Sequence, residues 1–156
     1  MLTIDSHCDT PMLFSAGYRL EENSETALVD LHKMAAGRLD VATMVAYIPQ
    51  GPRDTESLHA ATALADSLLH GISERVETAG ESVVLCSSVK ELPLCKREGK
   101  KVIMRGIENG YAIGRDISNI TRYKNMGVVY MTLCHNGDND ICDSARGAAE
   151  HGGLSG

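Results

Sequence analysis

The sequence contains no run approaching the ~20 consecutive apolar residues that a membrane-spanning helix needs. Its opening, Met1-Leu2-Thr3-Ile4, lacks the basic stretch and long apolar segment of a secretory leader, so the expected location is cytoplasmic. Positive charge is not clustered either. The formal net charge is −6, and the longest basic run, Lys96-Arg97 to Lys100-Lys101, is interrupted by Glu98 and reads as a solvated turn before a strand. Nucleic acid is therefore not an expected partner. Five cysteines (Cys8, Cys86, Cys95, Cys134, Cys142) form an odd set without CxxC spacing. That fits reduced thiols in a cytosolic protein better than a disulfide framework or a structural zinc finger. There is no GxSxG elbow, no GxxxxGK[ST] loop and no strand-linked GxGxxG, which removes three common catalytic and nucleotide-binding classes. Tryptophan is absent and phenylalanine occurs once, yet 43% hydrophobic and 23% charged residues make a globular composition. No linker, low-complexity tract or internal repeat divides the 156 residues, a length that suits one domain with a real core.

What is present alternates strand with helix. Leu2–Asp9 reads as a first strand ended by Thr10-Pro11. Residues Glu25–Gly37 place Ala27, Leu28, Leu31, Met34 and Ala35 at helical spacing, with Gly37 as a stop. The apolar run Leu39–Ile48 predicts a strand closed by Pro49-Gln50-Gly51-Pro52. Asp54 is an N-cap for a longer helix through about Val76, carrying Leu58, Ala61, Leu64, Ala65, Leu68 and Leu69. Ser82–Cys86 is a brief strand, and Ser88 begins a short helix toward Cys95. Lys101–Ile107 is a strand, Ile117–Met126 a helix stopped by Gly127, and Val128–Leu133 a further strand. Apolar strands each separated by a helix predict an α/β fold with a parallel sheet covered on its outer face.

Ligand-type side chains collect where these strands end. In a strand, residues i and i+2 share a face, so His7 and Asp9 project together while Cys8 points to the opposite, packed side. An imidazole beside a carboxylate offers two ligands to a divalent metal, although the same pair also suits a hydrogen-bonded strand end. Glu108 follows the strand Lys101–Ile107, and a carboxylate there can hold two metals ~3.5–4 Å apart, one oxygen on each. His135 closes the strand before the polar loop His135–Asp140 and could donate to a developing oxyanion; a plain turn histidine is the alternative. Asp138 and Asp140 lack the rest of a calcium-loop pattern. His32, His59 and His70 fall on predicted helices as surface residues, and His151 is assigned no role.

Four segments, IDSHCDTP, DLHKMAAGRLDVATMVAYIP, GIENGYAIGRDISNI and GVVYMTLCHNGDNDICDSA, taken in this order, resemble the membrane (renal) dipeptidase family of zinc metallopeptidases, amidohydrolase-like metal-dependent hydrolases. The resemblance implies a (β/α)8 TIM-type barrel with two zinc ions, manganese or cobalt being alternatives, and hydrolysis of a dipeptide through a metal-bridging hydroxide. It implies that His7 and Asp9 are ligands of one metal and that Glu108 bridges both. It further implies that His135 contacts the substrate at the scissile carbonyl, so that Glu108 and His135 are the catalytic pair. Gly152-Gly153-Leu154-Ser155 resembles the start of the segment leading into the second half of that barrel, whose later ligands have no counterpart here. Such a barrel typically needs ~250 residues, so residues 1–156 are expected to form a truncated, N-terminal part of one hydrolase domain. A half barrel leaves open edges, from which self-association or a missing C-terminal half is expected. Two other readings stay open: another binuclear amidohydrolase acting on small amides, and a catalytically inactive half-barrel fragment.

Overall fold

The computed structural model describes residues 1–156, and its centre is a wholly parallel sheet. The elements in chain order are β1 (Ile4–Cys8), a 3-10 turn (Thr10–Ala16), α1 (Leu31–Ala36), β2 (Val41–Tyr47), α2 (Thr55–Thr78), β3 (Val83–Leu85) and α3 (Leu92–Arg97). There follow β4 (Lys101–Glu108), a second 3-10 turn (Gly110–Ile113), α4 (Ser118–Asn125) and β5 (Val128–Met131). β2 lies between β1 and β4 and pairs with β4 along its whole length. The other edge of β4 is divided, with β3 beside Lys101–Ile103 and β5 beside Arg105–Ile107. The run β1, β2, β4, β5 is therefore the succession of neighbouring parallel strands expected of a TIM-type barrel. No helix is long and apolar enough to cross a membrane.

Strand alternation assigns the two faces. Ala42, Met44, Ala46, Ile103 and Ile107 pack outward with α1 and α2 in the main core. Val41, Val102 and Met104 point the other way and are covered at the amino end by Leu92, Cys95 and Cys86. Both faces of β2 are buried, which is why its sequence is apolar at nearly every position. α2 begins where expected, with the Asp54 carboxylate accepting from Ser57 N at 2.9 Å. Its buried stripe is Leu58, Ala61, Ala65, Leu69, Ile72 and Val76, while Leu64 stays 39% exposed at the edge of that stripe. Fully buried Leu69 and Ile72 each contribute roughly 1.5–3 kcal/mol.

Two expectations need correction. Only Leu31–Ala36 of the segment Glu25–Gly37 is helical. The fully buried Asp30 carboxylate caps α1 by accepting from Lys33 N, and it also accepts from Ser24 N. Ser24 Oγ accepts from Thr26 N and Ala27 N, so side-chain to backbone bonds hold residues 24–30 in a turn, with Leu28 89% exposed. Gly37 does close α1, but the left-handed φ of 51° falls on Arg38. Beyond Thr10-Pro11 the chain forms a 3-10 turn that seats Phe14 against α2, under the Arg75 guanidinium and next to Gly71. The run from Lys96 to Lys101 is not simply solvated either, because Lys96 pairs with Asp40 and Lys101 Nζ donates to the carbonyl of Leu39.

Candidate metal centre

His7, Asp9, Glu108 and His135 come together at the carboxyl ends of β1, β4 and β5. The phase of β1 is decisive. Its register sets Asp5 beside Ala42 and Cys8 beside Met44, so Ser6 and His7 together stand opposite Thr43. This is a β-bulge, and a one-residue slip moves a side chain to the other face. Without it, His7 would follow Asp5 and point outward with Ala42. With it, Cys8 turns into the main core and His7 joins Asp9 at the mouth. Burial raises the Cys8 thiol above its ordinary range, consistent with a packing role.

His7 Nε2 lies 3.4 Å from Asp9 Oδ1 and 3.5 Å from Glu108 Oε2. One donor atom from each of these three residues fits within 4.8 Å of the others. Both separations exceed an ordinary hydrogen bond. They match the spacing of about 3.4 Å between two donors that each sit ~2.1 Å from a tetrahedral zinc ion. A mixed nitrogen and oxygen set of this kind fits a borderline divalent cation. The second oxygen of Glu108 faces elsewhere: Oε1 lies 3.6 Å from His135 Nε2. The His135 ring meets Tyr47 edge-on at 5.0 Å, and its enclosed Nδ1 has no hydrogen-bond partner.

Several supporting residues carry no metal-site motif. Asn109, fully buried at φ 88°, links the ends of three strands. Its Nδ2 donates to Ile48 O and Gln50 Oε1, its Oδ1 accepts from Tyr111 N and Asn139 Nδ2, and its backbone N–H donates to Thr132 Oγ1. Glu108 is thereby held from the residue next to it. The dipeptide Asn109-Gly110 was a visible turn signal, but nothing local specified its distant partners. Tyr130 on β5 reaches His7 Nδ1, with its hydroxyl 2.8 Å away. Burial, together with the charges of Glu108 and Asp9, pushes that hydroxyl up to about 12, so it stays protonated at neutral pH.

The loop after His135 is a braced turn. Asp138 accepts from Ser144 N and Ala148 N, and Asp143 from His151 N and Gly153 N. His151, assigned no role from the sequence, pairs through Nε2 with the carbonyl of Asn139. His32, His59 and His70 are exposed, as expected.

A His-x-Asp pair, a second carboxylate and a further histidine thus gather at the carboxyl ends of parallel strands, the end at which a TIM-type α/β fold places its active site. Residues 1–156 match the family described as membrane dipeptidase (peptidase family M19), and the chain belongs to that family. It is 26% identical over 166 aligned residues to Dipeptidase verJ of Clonostachys rogersoniana, covering 97% of this chain and 42% of that protein. Among solved structures, the probable dipeptidase PvdM of Pseudomonas aeruginosa superposes with a TM-score of 0.87 at 24% identity, over 99% of this chain and 42% of that one. A Rhodobacter sphaeroides metallopeptidase liganded with a phosphinate mimic of the dipeptide L-Ala-D-Ala gives 0.77 at 16% identity, over 92% and 48%. The chain thus spans about two fifths of the length of this curated relative. The structural likenesses establish the shared TIM-type α/β fold.

Proposed function

We propose that this chain carries part of the active site of a zinc-dependent dipeptidase, with His7, Asp9 and Glu108 as metal ligands and His135 as a substrate-contacting group. The observation that carries this reading is the convergence of those three donors within 4.8 Å, in a chain matched by the dipeptidase family over its whole length. When bound, a pair of zinc ions supplies hydroxide near neutral pH and polarises the peptide carbonyl. His7 and Asp9 would hold such a metal together with Glu108, whose Oε2 faces His7 and whose Oε1 faces His135. His135, beside Glu108 Oε1, donates to the oxygen of the scissile carbonyl as negative charge grows on it. Tyr47 steadies the His135 ring from its edge. The dipeptide substrate is supported by the dipeptide mimic bound to the Rhodobacter sphaeroides relative.

Residues 1–156 form the N-terminal part of one hydrolase domain in this reading, and the relatives are correspondingly longer. β5 pairs only with β4, and its outer side borders an apolar cavity of about 260 Å³ lined by Ile120, Val129, Leu133 and Ile141 among others. An uncovered strand edge of this kind drives association with a second copy when nothing else covers it.

The experiment is metal content per chain after dialysis against zinc, paired with hydrolysis of a simple dipeptide, for wild type and Glu108→Gln. Loss of tightly held zinc in the variant is the expected result. Equal zinc stoichiometry in both proteins refutes the ligand assignment, and zinc binding with hydrolysis only of non-peptide amides refutes the substrate.

A further inference from the structure

The Tyr130 hydroxyl sits between two groups: it is 3.0 Å from the carbonyl oxygen of Ser6 and 2.8 Å from His7 Nδ1. A phenol has one proton to donate, and a carbonyl oxygen can only accept. The Ser6 carbonyl therefore takes that proton, and the phenol oxygen accepts from His7 Nδ1–H. A neutral imidazole protonated at Nδ1 carries its lone pair on Nε2, the nitrogen that faces Asp9 and Glu108. The opposite tautomer would aim an Nε2–H at two carboxylates and draw one of them to about 2.7–2.9 Å. The observed 3.4 and 3.5 Å are those of a nitrogen making no such bond.

Two features of the fold bring this contact about. Tyr130 lies 124 residues from Ser6, and its ring crosses β4 at Gly106 to reach β1. A Cβ at position 106 would come within 2.9 Å of the Tyr130 ring, so glycine keeps the passage open. The bulge that sets Ser6 and His7 together opposite Thr43 brings a backbone acceptor and an imidazole to the same hydroxyl. We propose that Tyr130 is a positioning residue that holds His7 in the Nδ1–H tautomer, leaving Nε2 as the donor for a divalent metal ion. This rests on the metal-centre reading above for its consequence, though not for the tautomer itself. A fixed second partner on a ligating histidine is worth 10–100-fold in metal affinity.

The test is two-dimensional ¹⁵N NMR of the imidazoles in metal-free protein, at a pH about 1.5 units above the ordinary histidine value of about 6.5, followed by zinc titration against a competing chelator. Wild-type His7 is expected to show protonated Nδ1 and bare Nε2. Tyr130→Phe keeps the ring and removes only the hydroxyl; His7 should then shift toward the Nε2–H form, and zinc affinity should fall 10–100-fold. Gly106→Ala, which displaces the ring but keeps the hydroxyl, should do the same. An Nε2–H tautomer in wild type overturns the proposal by itself, whatever the variants do. So does a Tyr130→Phe protein with unchanged tautomer and affinity. A wild-type His7 signal that zinc leaves unmoved would instead strike the metal-centre reading, while the metal-free tautomer would still judge Tyr130.

Discussion

Replacement of Asn109 by alanine isolates what holds Glu108 in place. The side chain makes four hydrogen bonds, to Ile48 O, Gln50 Oε1, Tyr111 N and Asn139 Nδ2, at 3.0–3.2 Å. Each is worth about 1 kcal/mol net, and the buried groups left without a partner raise the loss to roughly 3–5 kcal/mol. That is a large share of the roughly 5–15 kcal/mol that stabilises an ordinary domain. The backbone supplies a second, separable component, because φ of 88° suits glycine and strains any other residue. Asn109→Gly loses the same hydrogen bonds but relieves that strain, so it should stand about 1 kcal/mol above the alanine variant. Urea unfolding monitored by far-UV circular dichroism, with m unchanged, measures both differences. The reasoning fails if alanine costs less than about 1 kcal/mol, or if glycine proves the less stable of the two.

Asp30 gives an acid-side prediction. Burial tends to raise its carboxyl, but the Lys33 ammonium and the backbone donors of Lys33 and Ser24 outweigh that and hold it below the ordinary value. The stability it contributes is full above the unfolded value of about 3.9 and is lost as pH falls through the lower folded value. Asp30→Asn should lower stability at pH 7 and flatten its decline in acid; a parallel decline in both proteins would refute the assignment. Burial, then the neighbouring Cys95, pushes the Cys86 thiol up to about 12, so it should not react with a disulfide reagent at neutral pH until the chain unfolds, while Cys95 is shielded by its packing beside it. Rapid labelling of native protein at Cys86 or Cys95 would contradict the packing of α3 under the sheet. Val129→Lys on the open edge should reduce any self-association seen by light scattering; an unchanged apparent mass would place the contact elsewhere.

Most of the elements were legible from local signals. The Asp54 cap and the apolar stripe behind it specify α2 within a few residues, because capping and periodicity depend on near neighbours alone. The buried run Val41–Ala46 reads as a strand covered on both faces for the same reason. Residues 25–30 depart from the expected helix because their apolar spacing is helical while Ser24 and Asp30 take up the backbone donors a helix would need. Strand-end placement of His7, Asp9, Glu108 and His135 was also legible, since each follows an apolar run.

What the amino-acid order determined, then, is which segments are strands and helices, and that ligand-type residues lie at the strands' carboxyl ends. Tertiary structure alone decided that β1 carries a bulge turning His7 toward Asp9 and Glu108, since the phase of a strand is set by its register against β2. It alone brought Tyr130 across Gly106 to His7, and tied Asn109 to three strand ends. The reason is physical. Propensity, capping and alternation act over a few residues, whereas the distance between side chains on separate strands is fixed only when the parallel sheet closes its register around a shared core.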